Sequence, residues 1–277
     1  MLPGLGQIPK RGRLRSCETG GMSLKPVISR DNPAFKQLRA VLSGTGSRRT
    51  ATLLAGTKLI EAWHDAQRQG PNRLRASQWV RIEGVDPHPL EKVLSLPGLR
   101  LPEARMRELT EMKSPPAHAL VVELDPEPHG QLGPRVVGAW GVQDPGNLGA
   151  IFRSAAAFGF EDILIGPGCA DPFDPKTLRG SMGAAFGLRI RRCESVEEVV
   201  DAGTWIALDG GSHATPLAHA ELKEPLRLLV GNEGHGWQGV PLPASVHRVA
   251  IPIQGVESLN ASVAMGIACF EAARRRP

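Results

Sequence analysis

Residues 136–165 read VVGAWGVQDPGNLGAIFRSAAAFGFEDILI. An apolar run from Val136 to Val142 gives way to the turn formers Asp144, Pro145 and Gly146, and then Ile151, Phe152, Ala155 and Phe158 recur at helical spacing. Asn147 is a natural N-cap for that helix and Gly159 a natural stop just past its end. A second apolar run, Asp162 to Ile165, follows at once. Strand, helix and strand over such a length join two parallel strands.

Downstream, short apolar runs at Trp205 to Leu208, Leu226 to Val230 and Val249 to Ile253 alternate with helix-like segments. The pattern predicts an α/β domain over residues 135–277, built on a mostly parallel sheet with helices on both faces. Ligands of such sheets bind at loops beyond the carboxyl ends of the strands. Upstream, Pro115 to Pro134 is rich in Pro, Gly and isolated acids around one strand-like run, Ala119 to Leu124, and marks a junction over 115–134. Residues 27–114 are expected to form a small α/β domain. Pro33 opens a helix carrying Phe35, Leu38, Val41 and Leu42, and a second helix over about Thr57 to Ala66 puts Leu59, Ile60 and Trp63 on one face. Residues 1–26, rich in Gly, Arg and Pro, are expected to be a disordered basic tail. Met22 leaves open a later start.

Charge is uneven along the 277 residues: residues 30–113 hold fifteen Lys and Arg against nine Asp and Glu, whereas residues 135–277 hold thirteen against fifteen. A basic surplus in the first half suits contact with phosphates, although a solvated surface accounts for it too. No apolar stretch reaches the length of a membrane span, so a soluble, cytoplasmic protein is expected. The four cysteines, at 17, 169, 193 and 269, form no metal or disulfide pattern. The dinucleotide fingerprint G-x-G-x-x-G, the elbow G-x-S-x-G and metal-binding H-E-x-x-H are all missing, and no metal is expected.

Three segments can carry chemistry. In the first, Asn147 is explained by capping alone, and Arg153 is either a solvated arginine or a fork for an anion such as RNA phosphate. The second, LRLLVGNEGHGW from Leu226 to Trp237, is a strand running into three glycines with Glu233 between two of them; a plain turn is the alternative. In the third, VAIPIQGVESLNASVAMGIACFEAARRR, Ser258 is a good N-cap for a last helix whose core face is predicted to be Leu259, Val263, Ile267 and Phe270. Its small residues suit close packing, and Arg274, Arg275 and Arg276 complement the helix C-terminus.

In this order, DPGNLGAIFRSAAAFG, LLVGNEGHGW and IPIQGVESLNASVA resemble the three signature motifs of the SpoU/TrmH RNA ribose methyltransferases. KTLRGSMGAAF, Lys176 to Phe186, is similar to the family's segment between the first two, so the resemblance covers nearly all of 135–277. More loosely, the first half is similar to the family's ribosomal-protein-like substrate-binding domain, with Ala55 standing where an acid is expected. Within the motifs, Ala156, His235 and Ala261 depart from the usual residues.

The resemblance implies methyl transfer from S-adenosylmethionine to a ribose 2′-hydroxyl in structured RNA, ribosomal RNA ahead of transfer RNA. It also implies a deep trefoil knot from about Leu208 onward and a homodimer with the active site at the subunit interface. The implied cofactor residues are Leu208, Gly210, Gly231, Asn232, Ile251, Ile253, Ser258, Leu259 and Asn260. Asn147, Arg153, Glu233, Ser258 and Asn260 are the implied catalytic set. The family's central arginine is sometimes given the role of base; a guanidinium loses its proton only at extreme pH, so Arg153 is better suited to holding phosphate and developing charge. A non-catalytic RNA-binding protein and a hydrolase using Ser258 are the competing classes.

Overall fold

The computed structural model describes residues 24–26, 29–43, 49–69, 74–124, 131–211 and 213–276. Most of the expected basic tail lies outside the described residues. Its end does not behave as a tail: Leu24 is buried, and β1 (Lys25–Pro26) pairs into a sheet.

That first sheet also contains β2 (Ala51–Ala55), β3 (Leu74–Ile82), β4 (Gly98–Leu101) and β5 (His118–Leu124), in the order β1-β4-β3-β5-β2. β5 runs antiparallel to both neighbours. The apolar run within 115–134 is therefore an interior strand, and the first sheet reaches Leu124 instead of stopping near 114. Pro115 and Pro116 made the run look like part of a linker, but Ala119 to Val122 are buried on both faces, as a central strand must be.

Helices α1 (Pro33–Leu42) and α4 (Glu103–Thr110) cover one face through Phe35, Leu38 and Met106. Asn32 caps α1, accepting a hydrogen bond from the Ala34 N–H at 2.9 Å. Helix α2 (Thr57–Gln69) covers the other face with Leu59, Ile60 and Trp63, as its spacing predicted. The short α3 (Pro89–Leu94) is capped by His88.

The second sheet has seven strands: β6 (Arg135–Ala139), β7 (Asp162–Ile165), β8 (Arg189–Arg192), β9 (Thr204–Leu208), β10 (Thr215–Pro216), β11 (Leu226–Val230) and β12 (Val246–Ala250). Their order is β10-β12-β9-β11-β6-β7-β8, and every pairing is parallel. The chain builds β6, β7 and β8 outward in one direction, then returns to the other side of β6. The junction between β6 and β11 is thus the switch point where a crevice opens in such sheets.

Helices α5 (Pro145–Ala157), α6 (Pro175–Gly180) and α7 (Ala261–Arg274) share one core with Val137, Ile163, Ile206 and Leu228. Helices were expected on both faces. Among the described residues the opposite face, with Val136, Leu164, Trp205 and Leu229, is covered by irregular chain instead: Val196, Trp237 and Leu242. Gly234, Gly236, Gly239, Pro241 and Pro243 break any helix in the β11–β12 connection, so its apolar side chains pack from loops.

Two helix starts also differ from expectation. Asp144, not Asn147, caps α5, accepting from the Asn147 N–H at 2.8 Å. Asn260, not Ser258, caps α7, accepting from the N–H groups of Ser262 and Val263. The buried face of α7 is Ala261, Met265, Ala268, Cys269 and Ala272, whereas Val263, Ile267 and Phe270 are 50%, 37% and 50% exposed. Both sets have helical periodicity. The small set wins because it lets α7 approach α5 until a Cβ on Gly266 would stand 3.3 Å from the Ser154 hydroxyl. Arg275 does more than complement the helix end: it donates to the carbonyls of Leu217, Ala218 and Ala220 at 2.9–3.0 Å, tying α7 to the excursion between β9 and β11.

One core runs through both sheets, since Leu54, Trp79 and Leu120 belong to the same cluster as Val137 and Leu228. Polar ties reinforce the join. The buried Thr52 hydroxyl donates to the Phe173 carbonyl at 2.6 Å, and the buried Arg49 guanidinium pairs with Asp171 at 2.8 Å and Asp174 at 3.4 Å. Against the second sheet α5 and α6 meet backbone to backbone: a Cβ on Gly149 would stand 2.5 Å from the Thr177 carbonyl oxygen and 2.8 Å from Gly180 Cα. Because that neighbour is backbone, Gly149→Ala is expected to lower the unfolding free energy by about 1–3 kcal/mol, measured by urea denaturation.

Candidate active site at the switch point

The loops that leave β9, β11 and β12 enclose a cavity of about 330 Å³. Leu208, Val230, Val249, Ile251 and Leu259 supply apolar wall, while Gly210, Gly231, Gly234 and Gly236 bring backbone to its surface. The glycine at 231 is obligatory, because a Cβ there would lie 2.4 Å from the Gly236 carbonyl oxygen. Asn232 shapes the loop: its side-chain oxygen accepts from the N–H groups of Gly234 and His235, and its amide nitrogen donates to Gly141 O at 2.8 Å.

Of the nine residues the resemblance implied for the cofactor, eight line this cavity: Leu208, Gly210, Gly231, Asn232, Ile251, Ile253, Ser258 and Leu259. Asn260 stands beside it, at the head of α7.

At the mouth the segments join through side chains. Asn147 Nδ2 donates to Glu233 Oε1 at 3.1 Å, and Asn260 Nδ2 donates to Asn147 Oδ1 at 3.0 Å. The Asn260 Oδ1 in turn takes the N–H of Ser262 and Val263. The carboxylate can only accept, so it dictates which way Asn147 faces, and Asn147 then dictates Asn260. Each amide is thereby fixed in one orientation. Capping was offered as the reason for Asn147; its side chain instead bridges two loops.

Arg153 is not brought into this group. It is exposed on α5, does not line the cavity, and has no hydrogen bond or ion pair among the described residues.

Sequence reasoning missed Asp209 and Glu257 on the cavity wall, and Asp144 as the helix cap. Asp209 directly follows a predicted strand and Glu257 adjoins Ser258, so position next to known features was the available signal. Asp209 is ion-paired with Arg248. Burial pushes the Cys169 thiol up to about 11 and those of Cys193 and Cys269 up to about 12, which leaves these three protonated and unreactive at neutral pH. Among the described residues no cluster of three His, Cys, Asp or Glu could hold a metal ion.

Residues 134–270, which contain every part of this site, match the SpoU rRNA methylase family. Over 277 aligned residues the chain is 30% identical to the 23S rRNA (uridine(2479)-2′-O)-methyltransferase of Streptomyces viridochromogenes, covering 90% of this chain and 92% of that one. The chain belongs to the SpoU rRNA methylase family. A Synechocystis relative described as an uncharacterized tRNA/rRNA methyltransferase is 28% identical, with 90% of this chain and 94% of that protein covered. The crystal structure of an AdoMet-bound rRNA methyltransferase from Sinorhizobium meliloti superposes with a TM-score of 0.72 at 27% identity, over 91% of this chain and 98% of that one. The similarity to these proteins extends over both sheets.

Asn260 has two separable duties in this SpoU chain, capping α7 and steering Asn147. Asn260→Ala is expected to cost about 1 kcal/mol of stability through the lost cap, whereas Asn260→Asp keeps the cap and its stability; thermal and urea unfolding of the two variants check this.

Proposed function

We propose that this protein transfers a methyl group from S-adenosylmethionine to a ribose 2′-hydroxyl of structured RNA, ribosomal RNA in preference to transfer RNA. The observation that carries the proposal is the cavity whose wall contains eight of the expected cofactor residues, with Asn147, Glu233 and Asn260 linked at its mouth. The Streptomyces relative's name specifies 23S rRNA and a 2′-O position, and the Sinorhizobium structure holds AdoMet.

The residues present fit the cofactor. Ligand pockets run from about 300 to 1,000 Å³, so a cavity of 330 Å³ suits a compact, folded ligand. Its apolar wall suits a purine ring, and its glycine backbone offers close-range donors and acceptors. When bound, S-adenosylmethionine supplies a methyl group on a sulfonium leaving group.

The chain's own residues do the rest. Glu233 Oε1 is held by Asn147, which leaves Oε2 without a partner among the described residues and able to accept a hydrogen bond from the ribose hydroxyl. The amides of Asn147 and Asn260 set that carboxylate's position to within a hydrogen bond's tolerance, and such alignment supplies a large part of the barrier reduction for a weak nucleophile. Arg153, unpaired among the described residues, offers a guanidinium fork that holds a phosphate bidentately.

Arg153 stands outside the cavity of its own chain, and Val263, Ile267 and Phe270 form an apolar stripe on α7. Both observations support a homodimer in which a second copy covers that stripe and presents its arginine at the site. The deep knot from about Leu208 belongs to this reading, supported by the hold of Arg275 on residues 217–220. The first half reads as the RNA-binding domain, though its basic surplus is partly spent internally: Arg30, Arg39 and Arg105 all converge on Glu108. No described helix is long and apolar enough to cross a membrane. A cytoplasmic location is part of the proposal because the RNA substrate is there.

The test is transfer of labelled methyl to ribosomal RNA and, separately, to transfer RNA, both lacking prior modification, with alkali-resistant dinucleotides reporting 2′-O chemistry. Label is expected in ribosomal RNA, and Arg153→Ala is expected to lower the rate by about 10² or more while cofactor binding is retained. Label in transfer RNA alone would reassign the substrate, and no label with folded protein would return the chain to the RNA-binding class. In sedimentation, Phe270→Glu is expected to turn a dimer into monomers and to abolish transfer.

A further inference from the structure

We infer that Glu257 makes the cavity discriminate between methyl donor and demethylated product by charge. The inference rests on the cavity being the cofactor site. Three carboxylates line it, those of Asp209, Glu233 and Glu257, and among the described residues no Lys, Arg or His does. Asp209 is neutralised by Arg248. Glu233 accepts from the neutral amide of Asn147, which orients its charge without cancelling it. Glu257 is exposed and has no hydrogen bond or ion pair among the described residues. The wall therefore carries two uncompensated negative charges, and Glu257 is the one with no structural tie.

The two ligands differ in the property such a wall reads. At neutral pH S-adenosylmethionine carries a sulfonium, an ammonium and a carboxylate, a net charge of plus one. In transfer the bond from sulfur to the methyl carbon breaks, and its electron pair stays on sulfur. A bond forms from that carbon to the ribose oxygen, whose proton passes to solvent. S-adenosylhomocysteine is left as a neutral thioether zwitterion of nearly the same shape. Shape separates the pair weakly, by a single methyl group. Charge separates them directly: the carboxylates attract the donor and are indifferent to the product's sulfur, so spent ligand is readily displaced by fresh donor. Because Glu257 is exposed, the effect is screened by salt.

The experiment is calorimetric titration of the full chain with S-adenosylmethionine and with S-adenosylhomocysteine at low and high salt, for wild type, Glu257→Gln and Glu257→Asp. In Glu257→Gln the ratio of product Kd to donor Kd is expected to fall by about three- to tenfold at low salt, through weaker donor binding alone. Glu257→Asp, which keeps the charge, is expected to retain most of the ratio, and the wild-type ratio is expected to shrink as salt rises. Equal weakening of both ligands in Glu257→Gln would overturn the inference, because it would mark Glu257 as a contact or a loop support. An unchanged ratio would overturn it as well. If wild type binds neither ligand, the cofactor reading of the cavity falls first, an outcome distinct from either of these.

Discussion

The hydrogen bond from Asn147 to Glu233 is the constraint on which the rest of the site depends. It joins the start of α5 to the glycine loop after β11, two segments that lie on either side of the switch point in the sheet. A carboxylate has no proton to donate, so this single contact sets the direction of every amide beyond it, through Asn260 to the first turn of α7. Remove the direction and the amides can flip independently. With it, three loops that meet nowhere in sequence behave as one rigid edge.

Behind that edge, backbone contact does the positioning. α5 lies against α6 because Gly149 has no side chain, and against α7 because Gly266 has none. Helices held so closely transmit any displacement at one end to the other, which suits a site whose parts come from their N-termini. The larger residues of α7 are left facing outward by the same economy of space.

Much of this was legible in the letters. The run from Val136 to Ile165 spans the β6–α5–β7 unit except for Arg135 at its start, and β7 and β11 fall on the residues that the apolar runs marked. Nine of the seventeen residues on the cavity wall had been named from the motif resemblance. Other features turn on information that periodicity does not carry. Both sides of α7 repeat at helical spacing, and only knowing what it packs against selects the small side. Asn and Ser are comparable N-caps in isolation, so the choice between Asn260 and Ser258 rests on where the β12 loop ends. The strand β5 was hidden by flanking prolines, and the loop-covered face of the second sheet by the expectation that parallel sheets are wrapped in helices. Arg153 was assigned by motif, and among the described residues it has no hydrogen bond or ion pair through which that assignment could be seen.

The two sheets share one core, and that join is buttressed by Thr52 against Phe173 and by the buried Arg49 between Asp171 and Asp174. The first sheet is therefore held against the second by apolar packing as well as by polar ties. Under the function proposed here, an RNA touching the first sheet would meet the mouth of the cavity at a separation set by that shared core rather than by a hinge of its own.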